Sequence, residues 1–277
     1  MSAATNQGKE MSFLGHLEEL RWHLIRCTLA IVAMGMVAFL AKSFVFDTLL
    51  LGPKNADFPT YQLLCKVATF LGFQDSFCFD ELPFKIQSMK VAGQFSAHIW
   101  TSITAGFIVA FPYVLYEFWR FISPGLKENE RRTSRGFILI ASFLFFLGVL
   151  FGYYVVTPLS INFLGSYKVS EEVFNQFTLE SYIGLVRSAT VACGLIFELP
   201  IIIYFLTKIG LVTPQFLRKY RKYSLVLVLI LSAIITPPDI ASQIVVAVPI
   251  LVLYEISIYI SKAVVKKQAK KAKAAHG

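Results

Sequence analysis

Charge is what this chain has least of. Only 16% of its 277 residues are Asp, Glu, Lys or Arg, where a soluble domain carries about a quarter. That is too little to solvate the surface of a soluble domain. The remainder is 56% hydrophobic, and the mean hydropathy is +0.63. Catalytic apparatus is also missing. Histidine occurs four times, and no HExxH, GxSxG, paired Asp or Walker A lysine loop is present. These absences leave no assembled nucleophile, no zinc-binding helix and no nucleotide-driven step in this chain. An enzyme is not expected, nor a cofactor. His16 and His23 stand seven apart and could share a helix face with Glu19, but that set is too thin for a metal site, and none is expected. Cysteine is scarce as well. Cys27 and Cys193 fall in apolar runs and read as packing residues. Cys65 and Cys78 fall in a long loop, where they are either two free thiols or a disulfide formed in an oxidising compartment. No internal repeat and no soluble domain is visible.

What the chain does have is long apolar runs, at 22–46, 93–118, 136–156, 182–206, 223–235 and 240–260. Spanning the hydrocarbon core takes about 20 apolar residues, which the first four supply. The fifth run has 13 residues, a helix of about 20 Å against a core of about 30 Å. The sixth is interrupted by Glu255. The first is flanked by Glu18 and Glu19 and is too long for a cleaved signal core, so it reads as a retained helix. The expectation is a multi-pass, all-α integral membrane protein of six transmembrane helices, with helices five and six short, forming a single membrane domain over residues 1–277.

The net charge of +9 would suggest nucleic acid if it were unplaced. With the N-terminus inside, 19 of the 26 Lys and Arg residues fall on the inner side. The positive-inside bias therefore puts both termini in the cytoplasm, and no nucleic-acid partner is expected. Residues 1–21 become a cytoplasmic, amphipathic N-terminus and 47–92 a long outer loop. The stretch 82–92 is expected to be an amphipathic lead-in to the second helix. Residues 261–277 become a basic tail suited to anionic lipid.

Four features depart from a plain bundle. In MSFLGHLEELRWHLIR (11–26), Phe13, Leu14, Leu17, Leu20 and Leu24 recur at helical spacing, which places Glu19 and Arg21 at headgroup level. In FWRFISPGLKENERRTSR (118–135), Glu128 and Glu130 sit in a strongly basic loop. They either pair locally with Arg131 and Arg132 or form an acidic spot for a cationic ligand. In CGLIFELPIII (193–203), Glu198 is an ionisable residue at membrane depth, functional by default, and Pro200 kinks its helix. In ITPPDIASQ (235–243), a double proline makes a turn, and Gln243 could bond a neighbouring helix.

Taken together, FLGHLEELR (13–21), FWRFISPGLKENERR (118–132), FELP (197–200) and TPPDIASQ (236–243) resemble the TatC family, subunits of the twin-arginine translocase. The resemblance extends over nearly all of 11–260. It implies a cupped, concave bundle of six helices in the bacterial cytoplasmic (inner) membrane, with the last two short. It implies that twin-arginine signal peptides of folded precursor proteins bind on the cytoplasmic face. Partners would be TatA/TatB-type single-helix subunits, other TatC copies and membrane lipids, and export would be driven by the proton motive force. By position, Glu19 and Glu130 correspond to the carboxylates holding the signal's arginines, with Arg21, Phe121 and Pro124 as their supporting neighbours. Glu198 corresponds to a polar residue in the concave face of helix four, and Gln243 to a position near the TatA/TatB contact. Chemistry agrees, because planar guanidinium groups pair with carboxylates bidentately and lysine cannot copy that fork. The alternative is a proton-coupled secondary transporter with Glu198 as relay. The missing inverted repeat weighs against it.

Overall fold

The structure, a computed structural model, describes residues 13–70, 78, 84–122, 134–170, 172, 175–237 and 239–276. It is helical nearly throughout. Helix α1 is Phe13–Leu40, α2 Pro59–Phe70 and α3 Gly93–Ile122. Helix α4, Ser134–Phe151, continues through a π-helical turn at Gly152–Val156 into α5, Thr157–Ser166. Helices α6 (Leu179–Phe197) and α7 (Leu199–Lys208) are separated by Glu198 alone, and α8 (Pro214–Lys219), α9 (Arg221–Ile235) and α10 (Ile240–His276) follow. Among the described residues five helical segments are long and apolar enough to cross a membrane: Leu17–Leu40, Gly93–Ile122, Ile138–Ser166, Leu179–Lys208 and Ser242–Lys270.

The chain divides into two compact units, whose boundaries fall at the end of α1 and within α3 and α4. The first comprises 1–40 and 102–142. Here α1 and α3 touch backbone to backbone at two glycines. A methyl group on Gly106 would lie 2.5 Å from the Gly35 nitrogen and from the Ile31 carbonyl oxygen. Small residues at the crossing are what a bilayer favours, because lipid supplies no hydrophobic drive between helices and close contact must replace it. Elsewhere on α1 the side chains of Leu29, Val32, Met36, Val37 and Leu40 are more than half exposed. Such a surface requires an apolar solvent.

The second unit comprises 41–101 and 143–277. Its centre is a cluster of Val156, Ala189, Cys193, Val228, Val246 and Ile250, so Cys193 is the packing residue that the sequence suggests. A smaller cluster joins Ile203 on α7, Leu217 on α8, and Tyr254 and Ile258 on α10. Irregular backbone gathers at one end, where Phe44–Leu50 is π-helical and Gly52–Lys54 is a 3-10 turn. Three phenols stitch it. Tyr153 donates to the Leu49 carbonyl at 2.7 Å, Tyr182 to the Leu50 carbonyl at 3.0 Å, and Tyr61 reaches the carbonyls of Pro53 and Pro158 at 3.1 Å each. Carbonyls outside regular ladders need such donors when buried, and burial pushes the Tyr61 phenol above its ordinary range.

Three expectations are corrected. The architecture is not purely helical, because Lys85–Gln87 (β1) pairs in parallel with Gln176–Thr178 (β2), Ile86 opposite Phe177. The described part of the expected amphipathic lead-in is therefore a strand and a turn before α3 begins at Gly93. Phe84 packs on Phe177 with centroids 4.6 Å apart, and Lys90 pairs with Glu180 at 2.5 Å. Pairing with a partner about 90 residues away is invisible to local periodicity. Helix six is also not short: α10 runs 37 residues. Glu255 does not break it, because Arg221 of α9 holds that carboxylate at 2.7 Å, and the Ala, Lys and Gln residues beyond it are strong helix formers. Helix five is short, as its apolar run predicts. The 15 residues of α9 span about 22 Å.

Candidate functional site

The site lies in the first unit, on the facing sides of α1 and α3. Glu19, His23 and Arg26 stand at i, i+4 and i+7 on α1, and Tyr113, Glu117 and Phe121 at i, i+4 and i+8 on α3. Residues at these spacings share one helix face. The centre is Glu117, which is only 2% exposed. Its Oε2 lies 2.5 Å from Nδ1 of His23 and 3.8 Å from a guanidinium nitrogen of Arg26, and its Oε1 accepts from the Tyr113 hydroxyl at 3.0 Å. A buried carboxylate is tolerated only with such a set of donors. His23 is itself buried, and its ring meets Phe121 edge-on at 5.9 Å between centroids.

One turn before His23, Glu19 has a different environment. It is half-buried, and its Oε2 is shielded from solvent with no hydrogen-bond partner among the described residues. Leaving a carboxylate oxygen in that condition costs about 1–3 kcal/mol. The basic residues on the same face, His23 and Arg26, are turned to Glu117. Arg21 is exposed. This face therefore presents one satisfied carboxylate and one with a vacant oxygen. Pro124 and Glu130 lie outside the described residues, so their geometry with Glu19 is not described.

The remaining sequence-predicted residues belong to the second unit. Glu198 is buried, its Oε1 has no hydrogen-bond partner among the described residues, and its backbone closes α6 while opening α7. Pro200 stands in the first turn of α7, the position where a missing N–H breaks no helical bond. The helix is interrupted at Glu198 and restarts. Gln243 donates from Nε2 to the Leu229 carbonyl of α9 at 3.0 Å. Cys65 and Cys78 are bonded to each other in the structure.

Comparison with known proteins decides the family. The family described as Sec-independent protein translocase protein (TatC) matches residues 15–249. The chain belongs to the TatC family. A TatC of Blattabacterium sp. subsp. Periplaneta americana is 44% identical over 95% of this chain and 99% of its own length. A TatC of Aquifex aeolicus is 34% identical over 93% and 98%. Two crystal structures of a twin arginine translocase receptor, TatC, are 33% and 34% identical. They cover 90% and 89% of this chain and 99% of their own, with TM-scores of 0.65 and 0.70. This TatC-family chain is thus a bacterial membrane protein of Sec-independent protein translocation, and the secondary-transporter alternative gives way to it. The two solved relatives are translocase receptors.

Sequence reasoning missed Glu117. The signal was there, because Glu117 is an ionisable residue inside the apolar run 93–118, the same departure that singled out Glu198. His23, within the first apolar run, is its complement.

Proposed function

We propose that this chain is the receptor that holds the twin-arginine signal peptides of folded precursors at the cytoplasmic face. Glu19 and Glu130 receive the two guanidinium groups, with Arg21, Phe121 and Pro124 shaping the surroundings. The observation that carries the reading is the shielded carboxylate oxygen of Glu19, without a hydrogen-bond partner among the described residues, on a face whose own basic side chains, His23 and Arg26, are turned to Glu117. An arginine arriving there supplies the charge-assisted bond that the resting chain lacks. The frame of this reading has six spans, with α9 as the short fifth and both termini in the cytoplasm. TatA/TatB-type single-helix subunits and further TatC copies complete the assembly, the basic end of α10 rests on anionic lipid, and the proton motive force drives export. Glu198 and Gln243 serve the later transport step, and the pair Cys65–Cys78 secures an outer loop.

The test is site-specific crosslinking of a twin-arginine signal peptide to photoreactive probes at positions 19 and 130. Both positions are expected to crosslink, and a twin-lysine peptide to crosslink less. Absence of contact at both, or equal capture of the twin-lysine peptide, overturns the assignment.

A further inference from the structure

Glu117 has two partners that could otherwise serve Glu19. His23 lies one turn from Glu19 on the same face of α1, a spacing at which carboxylate and imidazole side chains meet, and Arg26 follows on the same stripe. Neither points that way. His23 Nδ1 is 2.5 Å from Glu117, and Arg26, although its side chain is 43% exposed, directs a guanidinium nitrogen to within 3.8 Å of it. Tyr113 fixes the other Glu117 oxygen at 3.0 Å, which leaves Oε2 to the two basic side chains. The consequence is the vacancy at Glu19 Oε2.

Resting on the signal-peptide reading above, we infer that Glu117 is a positioning residue. It draws the chain's own basic side chains, His23 and Arg26, away from Glu19, so that Glu19 stays open to an arginine of the signal peptide. Three features of α1 and α3 support this role. Glu117 is too deeply buried to meet an incoming peptide itself. Its partners come from the same helix stripe as Glu19. The buried charge has enough donors to persist in a low-dielectric setting without any ligand. Without Glu117, the buried His23 and the exposed Arg26 would lose that carboxylate, with Glu19 the nearest one along the stripe. A protein-borne cation at Glu19 competes directly with the signal.

The experiment uses the full chain in detergent micelles and a fluorescently labelled twin-arginine signal peptide, with affinity read by anisotropy and each variant's melting temperature read beside it. Glu117→Gln should weaken binding about tenfold, the size of one charge-assisted contact. Adding His23→Gln and Arg26→Gln to that variant should restore affinity to within about threefold of wild type, because the competing basic side chains are gone. A purely structural role for Glu117 would move the melting temperature and would not be rescued by removing two more polar residues. Glu117→Gln binding like wild type, or a triple variant as weak as the single, overturns the inference. Should Glu117→Gln not fold, the pair His23→Gln, Arg26→Gln on the wild-type Glu117 background decides. Affinity within about threefold supports the inference, and a tenfold loss overturns it, because His23 and Arg26 would then serve the signal directly. Glu19→Gln separates the two proposals. If it binds the signal peptide as wild type does, the signal-peptide assignment fails. If it abolishes binding while Glu117→Gln does not matter, only the positioning role fails.

Discussion

Replacing Gly106 by alanine tests how the receptor unit is held together. The added methyl carbon would stand 2.5 Å from the Gly35 nitrogen and the Ile31 carbonyl oxygen, whereas carbon needs about 3.5 Å from a neighbouring heavy atom. Both obstacles are backbone, so no side-chain rotation relieves the clash. Helices α1 and α3 must part by about 1 Å, a displacement of the overpacking kind that costs roughly 1–3 kcal/mol. The His23–Glu117 pair joins the same two helices 11 residues further along α3, about 16 Å from the crossing, so the separation also reaches the site. Gly184→Ala is the control. A methyl there meets nothing within 4 Å, so the variant gains helix propensity worth up to about 1 kcal/mol. Unfolding in detergent, followed by circular dichroism, should rank Gly184→Ala at or above wild type and Gly106→Ala clearly below. Signal-peptide affinity should fall in Gly106→Ala alone. Equal stability of Gly106→Ala and wild type would refute the close-crossing account.

Further outcomes follow from the second unit. Tyr61→Phe removes the hydroxyl near the Pro53 and Pro158 carbonyls, with an expected loss of about 1–3 kcal/mol in detergent melts. Because burial raises the Tyr61 phenol, the folded chain keeps a proton that the unfolded chain releases near pH 10. Stability should therefore decline above about pH 10, and Tyr61→Phe should decline less steeply. Cys65→Ser opens a loop with a sequence separation of 13. The expected loss is about 3 kcal/mol, with a matching drop in melting temperature when the wild type is reduced. Glu198→Gln should leave signal-peptide affinity unchanged while slowing export in vesicles. Lost peptide binding would move Glu198 into the recognition site.

Much of this architecture is legible in residue order. Apolar runs mark where α1, α3, α4, α6 and α10 lie, because bilayer thickness imposes a length that hydropathy reports directly. The brevity of α9 follows from 13 apolar residues in the same way. Glu19 stands out because a carboxylate at the membrane edge on a leucine-striped helix is unusual. What residue order did not yield is pairing. Glu117 finds His23 across 94 positions, and α10 keeps its helix through Glu255 because Arg221 sits on another element. Each depends on which faces meet, and periodicity within one segment carries no information about that. The strand pair escaped for the same reason, being only three residues on each side.

That strand pair also sets an order in time. Lys85 must wait for Gln176, about 90 residues later, which at ribosomal rates of 5–20 residues per second is roughly 5–18 s of synthesis. During that interval two membrane-long helical segments, Gly93–Ile122 and Ile138–Ser166, are made while β1 has no strand to bind. The two segments that lead into α3 and α6 can pair only after α3, α4 and α5 have been made, so the ladder is a late contact that closes over everything synthesised between its strands.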